Sequence, residues 1–272
     1  MVTDSYFGRS ARIVFNDPTW WWRTPVLALI GMVPILGTVV ILGYQMVLMR
    51  DVAWGVERGL PRFNESSEIL SRGWIGFVVS LVWGLILIPL VIIAGVALVL
   101  VQLPAIMASP TSTPPSTPWW FVALVTLPSI AINVFAMVAV LRAAIYMQTS
   151  AGLSLAAVRD LIGRAKSGFV HVSVLMVSVA LLGLVLALPA TYLRQIAYFP
   201  AALGLPLTYA AGFVLRLITA PLSLIVACAY GLWARQTDVA SWPPLAPMTA
   251  DTHPATAGRV EQALQPDAPG LE

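Results

Sequence analysis

The stretch WGLILIPLVIIAGVALVLVQL, residues 83–103, contains no charged side chain and no alternation of polar with apolar positions. A membrane-spanning α-helix needs roughly 20 apolar residues in a row, whereas a membrane β-strand shows about ten residues of alternating character. Of the 272 residues in the chain, 59% are apolar and only 10% are charged. Because a soluble chain of this length must cover its core with polar groups, this composition predicts an all-α, polytopic transmembrane bundle.

Five windows of this kind predict about five membrane spans, joined in part by amphipathic helices at the cytoplasmic interface. The predicted spans are residues 25–49, 74–101, 121–141, 169–188 and 209–234. We expect residues 1–24 to form an interfacial segment, residues 25–236 the transmembrane domain, and residues 237–272 a disordered cytoplasmic tail. Tryptophans expected to anchor span ends in the headgroup layer are Trp20, Trp21, Trp22, Trp74, Trp119, Trp120 and Trp233.

Basic residues predict the orientation of the spans, because short cytoplasmic loops carry the excess of arginine and lysine. The segments 50–73 and 142–168 each contain four basic residues, whereas the loop 102–120 contains no charge. We therefore expect a multi-pass protein of the cell membrane, with both basic segments and the C-terminus in the cytoplasm.

The first predicted span leaves two interpretations open. Its centre, VPILG, contains Pro34, and a helix over residues 25–49 would be about 37 Å long, enough to cross once with a kink. A break at the proline would instead give two short arms that enter the bilayer and return as a re-entrant hairpin. Only the hairpin keeps Arg9, Arg12 and Arg23 in the cytoplasm, but its turn would need protein or water to cover the backbone.

Two segments between spans resemble one another. Residues 59–78 and 152–170 both begin with Gly-Leu and end with Gly-Phe-Val, and a tyrosine, Tyr44 or Tyr146, precedes each of them. This pattern indicates either a parallel internal repeat, a symmetry that some transporters use, or two interfacial segments of convergent composition.

Polar residues within or beside the predicted spans are the candidate functional residues, because polar groups in hydrocarbon are costly. Asn133 lies near the middle of the third span, where its amide is expected to bond across helices or to contact a solute. Arg216 is expected to reach the outer interface. The remaining candidates, at the ends of the first and third spans, are Tyr44, Arg50, Arg142 and Tyr146.

The chain offers little for catalysis or metal binding. It has one cysteine, Cys228, and two histidines, and none of its twelve acidic residues falls in a predicted span. A zinc site needs three or four Cys, His or carboxylate ligands. We therefore expect no catalytic residue, no metal, no cofactor and no nucleic-acid partner, and we expect that the protein is not an enzyme.

Several stretches resemble a known family. The run VPILG followed by Gly43 and Tyr44, and the stretch YMQTSAGLSLAAVRDLI that begins at Tyr146, are similar to domain of unknown function 4013. The resemblance continues to PLSLIVACAYGLWARQ and covers residues 12–236. That family comprises uncharacterised multi-pass membrane proteins of prokaryotes, so the resemblance implies a membrane fold and no established activity.

Two functions fit this sequence best. The first is a structural or accessory membrane component whose partners are the lipid bilayer, anionic lipid headgroups, other membrane proteins or further copies of the same chain. The alternative is a transporter or channel for a small solute, with a cavity at the bilayer midplane near Asn133. An intramembrane enzyme would need a nucleophile and a base within hydrogen-bond reach, for which the sequence gives little support.

Overall fold

The computed structural model describes residues 5–56, 59–108, 119–195 and 201–242. Over these residues the chain forms ten α-helices and two short 3-10 helices, and no β-strand. The α-helices are α1 (Tyr6–Phe15), α2 (Trp20–Ile30), α3 (Leu36–Ala53), α4 (Ser66–Leu85), α5 (Ile88–Ala108), α6 (Trp119–Tyr146), α7 (Thr149–Leu153), α8 (Leu155–Arg164), α9 (Lys166–Gln195) and α10 (Ala201–Gln236). The 3-10 helices are Phe63–Glu65 and Val239–Ser241.

Five helical segments are long and apolar enough to cross a membrane, which confirms the predicted all-α fold with about five spans. These segments are Leu36–Ala53, Phe63–Leu85, Trp120–Tyr146, Lys166–Ala187 and Tyr209–Gln236. A shorter apolar helical segment, Ile88–Leu103, follows the second of them.

Residues 25–49 do not form one helix. The break lies between α2 and α3, where the Leu36 N–H donates to the Pro34 carbonyl at 2.6 Å across a tight turn centred on Ile35. Ile35 has a φ of 61°, a conformation that costs a β-branched residue energy and persists only where its surroundings impose it. The proline therefore ends one helix and starts another instead of kinking a continuous one.

The helices α2 and α3 form a hairpin whose two open ends lie together. Asp17, before α2, accepts a hydrogen bond from the Leu60 N–H at 2.7 Å, and Arg23 Nη1 donates to the Leu60 carbonyl at 2.6 Å. Because Leu60 follows the end of α3, the chain has returned to the end from which α2 started. The 11 residues of α2 extend about 16 Å, roughly half of a bilayer core. Of the two interpretations of residues 25–49, this geometry matches the hairpin.

The core lies mainly at one end of the bundle, which we call the base: the end at which α3, α6 and α10 finish and α9 begins. There the Trp233 Nε1 donates to the Ala165 carbonyl at 3.0 Å, and the Tyr6 hydroxyl donates to Gln236 at 2.6 Å. Fully buried aromatic side chains at the base include Tyr230, Trp233 and Trp242. Trp233 is thus a core residue, and its ring is enclosed by protein instead of anchoring the span end among lipid headgroups as the sequence predicted.

The α3 helix crosses α4 backbone to backbone. A side chain on Gly43 would collide with the Ile69 carbonyl, and one on Gly73 would collide with the Val39 carbonyl. Small residues permit such close approach between membrane helices. The crossing fixes where the hairpin sits against the rest of the molecule.

The predicted span 74–101 is divided between α4 and α5. The helix α4 ends at Leu85 and α5 begins at Ile88. Pro89, in the first turn of α5, has no N–H to donate to the Leu85 carbonyl, and in a continuous helix its ring would clash with that carbonyl. The interruption therefore follows from the proline, although the hydropathy of the window is continuous.

Both connecting segments and the start of the tail pack at or near the base. In the second segment, α8 buries Val158 and Leu161 and exposes Arg159, as expected of an amphipathic helix. The first segment contains a 3-10 helix where the second contains α7 and α8, so the similar sequences differ in local structure. Past residue 236 the chain turns back, and Trp242 is only 1% exposed. The remainder of the predicted tail, residues 243–272, lies outside the described residues.

Candidate functional site

One buried cluster, which we call the hairpin cluster, joins the open ends of the α2–α3 hairpin. The Asp17 carboxylate accepts hydrogen bonds from the Thr19 N–H at 2.7 Å, from the Thr19 hydroxyl and from the Leu60 N–H. Arg23 Nη1 lies 3.6 Å from the Asp17 carboxylate and also donates to the Pro61 carbonyl at 3.2 Å. Burial raises the pKa of Asp17, but the hydrogen bonds from Thr19 and Leu60 and the charge of Arg23 outweigh it, so the pKa is lowered.

Tyr44, one of the predicted candidates, completes the hairpin cluster. Its ring is fully buried, 5.7 Å from the ring of Phe63, and its hydroxyl lies beside the Arg23 guanidinium without hydrogen-bond geometry. Arg50, a second predicted candidate, lies further along α3 and is also buried. Both candidates therefore belong to the interior of the base.

A second cluster surrounds Arg142 and contains the predicted candidate Tyr146. Arg142 Nε donates to the Ala151 carbonyl at 3.1 Å, and its guanidinium lies 5.2 Å from the Tyr146 ring and 5.9 Å from the Trp242 ring. A cation held over aromatic faces away from water is stabilised by the ring quadrupoles. The Arg142 cluster thus ties α6 to α7 and to the segment after α10.

Asn133 and Arg216 lie apart from both clusters. The Asn133 amide is exposed and donates to the Ser129 carbonyl of its own helix at 2.8 Å, so this hydrogen bond does not join two helices. Arg216 is exposed on α10 and extends to the turn of the hairpin, where a β-carbon on Gly31 would lie 2.9 Å from Arg216 Nη1. Cys228, the single cysteine, is buried in the core.

A cavity of about 1000 Å³ opens at the base between α1, α9 and α10. Its basic side chains are Arg9, His171 and Arg235, and its apolar side chains include Val174 and Leu175. The His171 Nδ1 lies 2.7 Å from the Ser167 carbonyl of its own helix. None of these residues was a predicted candidate, because the cavity joins parts of the chain more than 200 residues apart.

The side chains at these sites are mainly cations, aromatic rings and hydrogen-bond donors. Among the described residues, no group of three or more His, Cys, Asp or Glu side chains could hold a metal ion. Arg23 and Arg142 donate to backbone carbonyls within the fold, and the side chains of Arg9, His171 and Arg235 line the cavity.

Comparison with known proteins gives one finding. No curated protein and no solved structure matches the chain. The model of a family described as a protein of unknown function, DUF4013, matches residues 26–194. This match covers more than half of the chain and includes Tyr44, Arg50, Arg142 and Tyr146, and it confirms the resemblance found in the sequence. The chain therefore belongs to the DUF4013 family.

Proposed function

We propose that this protein is a multi-pass component of the cell membrane with a structural or accessory role, and that its base and C-terminus face the cytoplasm. The observation that carries the proposal is the uncovered surface of α9. Its Lys166–Ala187 segment has a mean hydropathy of 2.5, and only 6% of the segment is buried within the protein. So much exposed apolar helix requires an apolar surrounding, and lipid supplies it.

The charges at the base support a cytoplasmic orientation. Basic residues on the elements that meet there include Arg9, Arg12, Arg159, Arg164, Lys166 and Arg235. Cytoplasmic ends of membrane proteins carry this excess, and anionic headgroups of the inner leaflet attract it.

The hairpin supports a re-entrant arrangement of residues 25–49. At its turn Val33, Ile35 and Leu36 are exposed and apolar, which suits insertion into hydrocarbon. With both arms returning to the base, Arg9, Arg12 and Arg23 stay on the cytoplasmic side.

A structural or accessory role agrees with the way the arginines are used. Arg23 and Arg142 are buried and donate to backbone carbonyls of neighbouring segments, so they hold the fold together. Other membrane proteins or a second copy of the chain would meet the exposed apolar helix faces. Neither catalysis nor nucleic-acid binding is part of the proposal.

The transporter alternative has weaker support. It requires a polar cavity at the midplane near Asn133, but that amide is bonded within its own helix and the described cavity lies at the base. Pro128, which lies inside α6, is compatible with either role.

Cysteine labelling in intact cells tests the location and the orientation together. In a Cys228→Ala background, single cysteines at Asn16, Asn64 and Ala156, all exposed near the base, should react with a membrane-impermeant maleimide only after the cells are opened. A cysteine at Ser112, in the uncharged loop, should react in intact cells. External labelling at residue 16 but not at residue 64 would overturn the hairpin. Recovery of folded protein in the soluble fraction without detergent would overturn the membrane location.

A further inference from the structure

We propose that the cavity between α1, α9 and α10 binds the phosphate of an anionic membrane phospholipid, an inference that rests on the membrane location and orientation proposed above. The cavity lies at the base, where the proposed orientation places the headgroups of the cytoplasmic leaflet. Its volume of about 1000 Å³ lies at the upper end of the usual range for small-molecule sites, roughly 300–1,000 Å³, and so can hold a headgroup and the first part of the acyl chains.

The basic side chains that line the cavity favour an anionic ligand. Its thirteen described lining residues include Arg9, Arg235 and His171 but no aspartate or glutamate. Arginine guanidiniums present forked N–H donors that match the oxygens of a phosphate. Ser167 and Ser178 add hydroxyl donors at the same surface. A phosphodiester carries the charge and the acceptors that this set can recognise.

The apolar part of the cavity selects a lipid over a soluble phosphate. Val174 and Leu175 of α9 and Leu232 of α10 also line the cavity. Along the same helix, Leu181 and Val185 continue an exposed apolar surface away from the base. An acyl chain attached to a bound phosphate can follow this surface, whereas an inorganic phosphate would use only the polar side.

The position of α1 explains how Arg9 comes to line the cavity. Val14 is fully buried in the core, and the Tyr6 hydroxyl is bonded to Gln236 at 2.6 Å, so α1 is fixed at both ends against the base. Phe7, on the open side of α1, is exposed. The helix therefore presents a basic side chain, Arg9, and an exposed aromatic side chain, Phe7, at the cavity, a combination found in interfacial helices.

Native mass spectrometry of the full-length detergent-solubilised protein tests the site. Phosphatidylglycerol should be retained at least about tenfold more than phosphatidylcholine, because only the former combines a phosphate with net negative charge. The double variant Arg9→Gln, Arg235→Gln should lower this preference about tenfold. The matched variant Arg159→Gln, Lys166→Gln loses the same charge at the base outside the cavity lining and should keep the preference.

A second variant covers the case in which the arginine substitutions disturb folding, since Arg235 packs beside Gly55. Ser178→Phe leaves the charge unchanged but occupies the cavity, and it should reduce phosphatidylglycerol retention without lowering the melting temperature. Retention that this variant leaves unchanged would overturn the cavity as the site.

Further measurements distinguish a lipid from a soluble anion, and distinguish lipid binding at the cavity from membrane location. Inorganic phosphate that displaces phosphatidylglycerol at equal concentration would overturn the lipid assignment in favour of a soluble anion. Equal loss of preference in the matched variant would show general surface charge and overturn the site. Because membrane location is read separately by fractionation and cysteine labelling, failure of lipid binding leaves the proposed function standing.

Discussion

The helices α3 and α9 both qualify as membrane-crossing segments, yet their surroundings are opposite. The Leu36–Ala53 segment has a mean hydropathy of 1.3 and is 72% buried by the rest of the protein, whereas the Lys166–Ala187 segment has a mean hydropathy of 2.5 and is 6% buried. The protein around α3 allows it to carry Gln45, Arg50 and Asp51 in the interior. The less apolar helix is therefore the more central one, because protein, not lipid, surrounds it.

A membrane helix can face lipid or be enclosed by other helices, and its mean hydropathy alone does not say which. A helix facing lipid must be apolar around its circumference, since hydrocarbon satisfies no polar group. A helix enclosed by other helices must instead fit them closely, as α3 does at Gly43. Substitutions should consequently be costly in α3 and nearly silent on the exposed face of α9.

The largest effect is expected at the helix crossing. Gly43→Ala places a methyl group against the Ile69 carbonyl, and the rigid backbone cannot yield, so we expect a loss of more than roughly 3 kcal/mol of stability. Gly95→Ala is the matched control, because nothing lies within 4 Å of its β-carbon position. Thermal unfolding in detergent would measure both, and equal melting temperatures would contradict the close crossing.

One leucine in each helix allows α3 and α9 to be compared directly. Leu48 of α3 is 0% exposed and Leu182 of α9 is 44% exposed. Leu48→Ala leaves a cavity and should cost about 3 kcal/mol, whereas Leu182→Ala should cost less than about 0.5 kcal/mol. Both are measured by unfolding in the same lipid. Comparable losses would mean that α9 is covered by a partner or a second copy.

Acid should weaken the hairpin cluster. Because the pKa of Asp17 is lowered in the folded protein, its contribution is complete above the pKa of about 3.9 in the unfolded chain, and it is lost as the pH falls through the folded value. Asp17→Asn should cost roughly 2 kcal/mol at neutral pH and reduce the loss of stability below pH 4. Asp160→Asn, in an exposed pair with Arg164, should change little. Melting temperatures between pH 3 and pH 7 that fall equally in wild type and Asp17→Asn would contradict this role.

The smallest effect concerns one hydrogen bond near the end of α4. Trp83 Nε1 donates to the Gly152 carbonyl at 3.0 Å, so Trp83→Phe removes the donor, keeps most of the apolar contact and should cost about 1 kcal/mol. Trp74→Phe, on the exposed side of the same helix, should be close to neutral. The melting temperatures of the two variants should differ by a few degrees. Equal melting temperatures would show that this hydrogen bond does not stabilise the fold.

The apolar windows of the sequence were enough to predict the helical class, because lipid imposes length and composition locally. Pro34 left both a kinked span and a hairpin open, because the contacts that join the ends of α2 and α3 are not local in sequence. Burial was not predictable in the same way. Trp233 resembles a headgroup anchor in sequence, yet Phe169 and Tyr230 pack against its ring. Trp242 resembles part of a solvated tail, yet the αL conformation of Asp238 turns the chain back into the base.

The surroundings of the candidate residues were also only partly predictable from the sequence. Tyr44 and Tyr146 were found because each precedes one of the two similar segments near the end of a span, and both lie in buried clusters with arginine. Asn133 was expected to bond across helices or to contact a solute, but its amide N–H donates to a carbonyl one turn earlier in its own helix. The cavity depends on contacts between the two ends of the described chain, as at Tyr6 and Gln236, and no local pattern encodes such contacts.

The packing of α3 against α10 has a consequence for biogenesis. On the ribosome α3 emerges among the earliest segments, while α10, which lies beside it at Gly231 and Val52, is the last described helix to be made. During translation the polar side chains of α3 therefore lack the cover of α10, whether α3 lies in the insertion machinery or at the edge of the membrane. The packing around α3 is complete only after α10 has been made. A chain that terminates before α10 would leave α3 exposed to quality-control proteolysis.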